Sequence, residues 1–275
     1  MKIDSHVHFI NYNEQDYPWI GDDMQRLKAN FGPQDLKPLL DSIQFDGAVA
    51  VQARQTLQET EWLLSLADQH PLIKGVVGWV DLRSSEVDKQ LNDLVTNDKL
   101  KGVRHVIHDE VDDDFMLRED FNRGLSLLKD YDLTYDILIF EKHLPQTIKL
   151  VERHPDQRFV IDHIAKPRIK ENQIDHWFKH MQILSSFDNV YCKISGMVTE
   201  ADWHDQDATT FKPYLEKLFT IFPAHRLMIG SDWPVCTVVN DYQSVMNIVI
   251  DFIKDRPKEE QEYVLGKTSV NFYKL

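Results

Sequence analysis

Residues 2–10 read KIDSHVHFI, a short apolar run that closes on His6-Val7-His8. A run of this length, rich in Ile, Val and Phe, reads as a strand buried on both faces of a sheet. Side chains alternate along a strand, so the two imidazoles at its end project to one side. What decides the fold is that the pattern recurs. Similar runs occupy 47–53, 73–80, 101–107, 133–140, 158–164, 189–195 and 226–231, which makes eight expected strands with 2–8.

Helical spacing fills the gaps between them. Trp62, Leu63, Leu66 and Ala67 share one helical face, as do Phe211, Tyr214, Leu215, Leu218 and Phe219. Tyr242, Val245, Met246, Val249, Phe252 and Ile253 repeat the spacing near the C-terminus, and His70-Pro71 and His154-Pro155 each stop a helix just before a strand. Eight strands, each followed by a helix, are what an α/β protein of the (β/α)8 TIM barrel type requires. An open doubly wound sheet would commonly carry GxGxxG after its first strand, and none occurs. The expectation is one barrel domain over 1–275, somewhat distorted. Segment 11–45 reads as a loop over the mouth with one or two helices.

Composition narrows the function classes. Of 275 residues, 42% are hydrophobic and 11% aromatic, enough for a large core. The net charge of -14 repels phosphate backbones and anionic membranes, so neither nucleic acid nor a membrane is an expected partner. No run approaches the ~20 apolar residues of a membrane-spanning helix, no basic-apolar leader is apparent, and a cytoplasmic location is expected. Cys192 and Cys236 form no CxxC pattern, which argues against a disulfide framework or a thiolate zinc site.

Barrel chemistry sits where strands end. Strand one ends in His6 and His8, strand two in Gln52 and Arg54, strand three in Trp79 and Asp81. Strand four, GVRHVIHDE, places Arg104 and His108 on one parity and His105 on the other; strand six offers Asp162, His163 and Lys166; strand eight ends at Asp232. A lone histidine is usually a satisfied core or surface residue, and an Asp at a strand end is usually a cap. Four such groups at matching ends of strands one, six and eight are another matter. Imidazole and carboxylate suit zinc or manganese, with a position left for water. The same groups also serve without metal, with Asp232 as base and histidines as donors.

At this point the chain resembles the amidohydrolase superfamily, through HxH on strand one, His163 on strand six and Asp232 of GSDWP on strand eight. More narrowly, DSHVHF, VQARQTLQET, KGVRHVIHDE, DHIAKP, VYCKISG, MVTEADW and RLMIGSDWPVC resemble the sugar-lactone lactonases and the related 2-pyrone-4,6-dicarboxylate lactonases. The resemblance implies hydrolysis of a small-molecule lactone in sugar catabolism. It implies catalytic roles for Asp232, His163 and Arg104, and a metal set of His6, His8, His163 and Asp232. It allows one divalent cation, zinc or manganese, or none. The chain departs from binuclear members: Lys101 begins strand four rather than ending it, and strand five carries no histidine, the nearest being His143.

Around the expected mouth, Gln52, Trp79, His108, Asp136, Lys166, Trp203 and Trp233 are the candidates for substrate binding, with Trp19 beside them. Aromatic faces pack on the C–H faces of sugars, and polar groups bond hydroxyls. Arg54, Arg83, Arg104 and Arg168 leave an anionic pyrone dicarboxylate open as substrate. Two rivals remain: a metal-dependent decarboxylase on the same barrel, and a non-catalytic sugar-acid binder.

Overall fold

A computed structural model describes residues 1–204 and 207–275. All eight expected strands are present: β1 Ile3–Val7, β2 Gly47–Val51, β3 Ile73–Gly78, β4 Leu100–Val106, β5 Thr134–Leu138, β6 Phe159–Ile161, β7 Val190–Ile194 and β8 Leu227–Ile229. They pair in chain order and every pairing is parallel. The last gap is bridged just beyond β8. The Asp232 amide donates to the His6 carbonyl at 2.9 Å, and the His8 amide donates to the Trp233 carbonyl at 2.6 Å. The result is a (β/α)8 TIM barrel.

The helices follow the strands: α1 Pro33–Ser42, α2 Leu57–Gln69, α3 Val87–Leu94, α4 Glu119–Leu125, α5 Leu144–Arg153, α6 Asp175–Ser185, α7 Met197–Glu200, α8 Lys212–Ile221, α9 Tyr242–Ile253, α10 Lys258–Glu262 and α11 Thr268–Tyr273. The expected faces are the buried ones: Leu63 and Ala67 of α2, Tyr214, Leu215 and Leu218 of α8, and Tyr242, Val245, Met246, Val249 and Ile253 of α9. The helices α2 and α5 end at Gln69 and Arg153, so His70-Pro71 and His154-Pro155 close them as the sequence predicts. Segment 11–45 holds a short 3-10 turn, Asp22–Leu27, and α1.

Every strand but β4 is shorter than expected, and for β6 and β8 the reason is local. After β6 the chain enters a left-handed turn, with positive φ at His163, Ile164, Ala165 and Lys166 (54°, 47°, 64° and 47°); after β8, Asp232 has φ 61°. Left-handed backbone costs a side-chain-bearing residue roughly 1–2 kcal/mol. It persists only where surrounding contacts over-determine it, commonly at functional sites. Here the indole of Trp177 donates to the Ile164 carbonyl at 2.6 Å, and the Lys166 amide donates to the His163 carbonyl at 2.8 Å. At the other end of the barrel, Ile3, Val49, Val51, Val77, Val160 and Met228 pack with Phe272 and Tyr273 of α11, so the barrel is filled rather than open.

Candidate active site

A cavity of about 340 Å³ opens at the C-terminal ends of the strands. Every strand except β3 contributes to its lining, directly or through the segment that follows: His8, Ala53, Arg104, Val106, His108, Asp109, Leu138, Phe140, His163, Lys166, Thr199, Glu200, Trp203, Asp232 and Val235. Trp19 and Met24 reach it from the segment between β1 and α1.

Beneath the cavity lies a ring of three polar atoms, of which those of His8 and Asp232 belong to lining residues and that of His6 is wholly buried. His6 Nε2 and His8 Nε2 lie 3.2 Å apart, and Asp232 Oδ1 is 3.3 Å from His8 Nε2 and 3.8 Å from His6 Nε2. The Val51 carbonyl accepts the Nδ1 proton of His8 at 2.8 Å, which leaves the His8 Nε2 lone pair facing the ring. His163 stands at the edge, its Nε2 4.0 Å from Asp232 Oδ1 and its Nδ1 hydrogen-bonded to the Ser195 hydroxyl at 2.9 Å. Gly196 makes room for that ring. Its φ is +59°, and a Cβ there would fall 2.5 Å from His163 Nδ1.

Electrostatics separates these groups. Burial keeps His163 neutral, pulling its pKa down to about 4 against the attraction of Asp232 and Asp162. Burial likewise holds His6 well below its ordinary value. Burial opposes the charge on Asp232 as well, yet the imidazoles around it, His163 first, overcome it. The Asp232 carboxyl therefore stays well below the usual carboxylate range, an ionised base among buried imidazoles.

The donor set fits a divalent cation. The three separations leave a point about 2 Å from His6 Nε2, His8 Nε2 and Asp232 Oδ1 alike, the length of zinc–imidazole and zinc–carboxylate bonds. Of the four expected ligands, these three form one grouping, while His163 groups with His6 and Asp162.

Arg104 is held rather than free. Its Nε donates to Gln52 Oε1 at 2.8 Å, Nη2 to the Gln52 carbonyl, and Nη1 to Asp162 Oδ2 at 3.1 Å; Nη1 is also 3.2 Å from His6 Nε2. His108 lines the cavity stacked on Phe140, with ring centroids 4.6 Å apart. Burial, with Lys166 and Arg104 nearby, brings its pKa down to about 3. Lys166 pairs with Glu200 at 2.6 Å beside Trp203.

Four of the expected substrate contacts stand elsewhere. Asp136 is buried on β5 against Lys193 and the Tyr273 hydroxyl, inside the barrel rather than in the cavity. Gln52 is spent on Arg104. Trp79, just beyond β3, donates to His105 Nδ1 on β4 at 3.3 Å, and Trp233 packs edge-on against Phe9 and Phe31. Asp136 sits in the middle of its strand, while the other three follow a strand end but are turned to partners outside the cavity lining.

Several contributors were not singled out from sequence, and four of them matter most. Glu200 and Phe140 lie beyond their strands, where alternation has stopped. Asp4 is the third: its carboxylate accepts from the Ser231 amide at 2.9 Å and the Tyr242 hydroxyl at 3.0 Å, clamping the chain just before Asp232. A fourth, Lys193, had a visible signal, a cation inside the apolar run VYCKIS.

A closed parallel barrel with a buried imidazole–carboxylate ring at the C-terminal strand ends defines a barrel enzyme whose site could hold a divalent cation. The chain belongs to the amidohydrolase family, whose model matches residues 3–275. It is 36% identical to an L-fucono-1,5-lactonase of Burkholderia multivorans, over 100% of this chain and 96% of that protein. The crystal structure of an amidohydrolase from Burkholderia multivorans with bound zinc superposes with a TM-score of 0.97 at 36% identity, covering 100% of this chain and 99% of that one. A probable 2-pyrone-4,6-dicarboxylic acid hydrolase from Acinetobacter baumannii shares the fold, with a TM-score of 0.77 at 18% identity and 100% and 99% coverage.

Proposed function

We propose that this enzyme opens the ring of a neutral, sugar-derived lactone by attack of an activated water on the lactone carbonyl. The observation that carries the reading is the ionised Asp232 carboxylate on the floor of the cavity, beside three buried histidines. Support comes from the lactonase relative and from the zinc-bound structure.

Asp232 takes a proton from water as the water oxygen bonds to the carbonyl carbon. The carbonyl oxygen gains charge, and Arg104 with the imidazole edge of the ring stabilises it. When the ring carbon–oxygen bond breaks, Asp232 returns the proton to the departing alkoxide, and the product is an open-chain hydroxy acid. A divalent cation held by His6, His8 and Asp232, zinc or manganese, would act as a Lewis acid toward the carbonyl.

The cavity's charge favours a neutral substrate over a pyrone dicarboxylate. Its lining carries two cations, Arg104 and Lys166, against three carboxylates, Asp109, Glu200 and Asp232. Both cations are already paired, with Asp162 and Glu200. Arg54, Arg83 and Arg168 lie outside the lining, beside Asp16, Asp81 and Glu171. Trp19, Met24, Phe140 and Trp203 offer the apolar faces that C–H surfaces of a sugar ring require. Of the expected substrate contacts, His108, Lys166 and Trp203 remain in this reading.

A pH-indicator assay with aldono-1,4- and 1,5-lactones, pyrone dicarboxylate and an unsaturated carboxylic acid tests it. Acid release from the aldonolactones is expected. Turnover of the dicarboxylate alone, or carbon dioxide release, would replace this reading with one of its rivals.

A further inference from the structure

Lys193 lies in the middle of β7 with no exposed surface. Its ammonium is 2.5 Å from Asp136 Oδ2, 3.0 Å from Asp162 Oδ1 and 3.2 Å from His6 Nδ1. Asp162 in turn accepts from Arg104 and stands 3.4 Å from His6 Nδ1, while the Tyr273 hydroxyl donates to Asp136 at 2.7 Å. Two cations and two carboxylates thus fill the centre of the barrel beneath the cavity. Lys193, Asp136 and Asp162 are absent from its lining, as is His6, whose partners His8 and Asp232 are in it.

Such an array is a poor way to stabilise a core, because apolar residues of the same volume commonly do as well or better. What sets this one apart is where it points. His6 is wholly buried, and its ring is gripped from both edges. Lys193 and Asp162 meet Nδ1; His8, Arg104 and Asp232 surround Nε2. The Nδ1 edge is the one that Lys193 and Asp162 hold from the barrel interior, while Nε2 faces His8 and Asp232 with Arg104 beside it. A histidine in a reactive site takes its orientation from the partner of its distal nitrogen.

We propose that Lys193 is a positioning residue: by holding Asp162 and the Nδ1 edge of His6, it keeps His6 Nε2 turned toward His8 and Asp232. The inference rests on the reading of that three-atom ring as the working group of the site. Asp136 and Tyr273 anchor Lys193 from the far side, which ties the C-terminal helix to the geometry of the cavity floor.

Lys193→Met alone strands two buried carboxylates with one cation and can fail to fold. The double variant Lys193→Met/Asp136→Asn removes one charge of each sign and leaves Asp162 with Arg104. Its crystal structure reads the proposal directly. The His6 ring is expected to rotate so that Nε2 no longer faces His8. Zinc affinity, measured with zinc alone by competition against a chromogenic chelator, should weaken at least tenfold. With the lactone that the wild type turns over, kcat should fall at least tenfold while KM stays within threefold, a split that general loosening would not produce. An unmoved His6 ring, with zinc affinity and kcat within twofold of wild type, would overturn it and leave Lys193 a structural ion pair. Should the wild type open no lactone, the proposed function fails, while the ring orientation and the zinc titration still decide this inference.

Discussion

His6 and His8 face each other through their Nε2 atoms at 3.2 Å, although both leave the same strand end. With the His8 Nδ1 proton committed to Val51, two ring nitrogens at this distance are bridged by a proton or by a metal ion. Zinc should therefore bind tightly enough to shift the melting curve. At a hundredfold excess over Kd the gain is about 2.7 kcal/mol. His8→Ala should abolish this shift while leaving the metal-free melting temperature within a few degrees. An equal zinc shift in the variant would remove His8 from the ligand set.

Asp232→Asn should lower kcat by ~10² or more, the contribution expected of a positioned general base. The amide keeps the size of the carboxylate, so circular dichroism and the melting temperature should stay close to wild type. Near-normal turnover in a folded sample would mean that another group activates the water.

Gly196→Ala tests the seat of His163. The added methyl group meets the His163 ring at 2.5 Å, on a backbone with φ +59° that itself disfavours alanine. We expect a loss of roughly 1–3 kcal/mol of stability and a clear fall in kcat. A chemical-denaturation curve with an unchanged midpoint would show that His163 can move aside freely.

The pH dependence of stability carries a signature of His108. Folded, its pKa is about 3; unfolded, it returns to 6.5. Between these values the unfolded chain binds a proton that the folded chain does not, so this ring favours unfolding increasingly as the pH falls below 6.5. The slope is about 1.4 kcal/mol per pH unit. His108→Asn should remove it, making the melting temperature less sensitive to acid between pH 6.5 and 4. Parallel pH profiles for the two proteins would mean that the folded ring takes up its proton in that range.

Much of this molecule can be read along the chain. Eight short apolar runs and the helical faces between them are local patterns, and each run appears as a parallel strand. The ring on the cavity floor was also within reach, because His6 and His8 sit two residues apart on one strand and Asp232 follows another. The substrate wall was harder. Glu200 and Phe140 come from segments after the strands, where no periodicity says which way a side chain points. Asp136 and Trp233 looked equally suitable by position, yet one turns into the barrel and the other into the helix layer.

The sequence by itself determined the barrel and the inventory of reactive groups, since strand and helix periods and residue chemistry are properties of neighbours along the chain. Only the tertiary structure decided which groups meet. Lys193 reaches His6 across 187 positions of sequence, and Arg104 finds Asp162 across 58. Barrel closure and left-handed turns at His163 and Asp232 bring these groups together. Those turns run against local preference, so the contacts that hold them had to come from elsewhere in the fold.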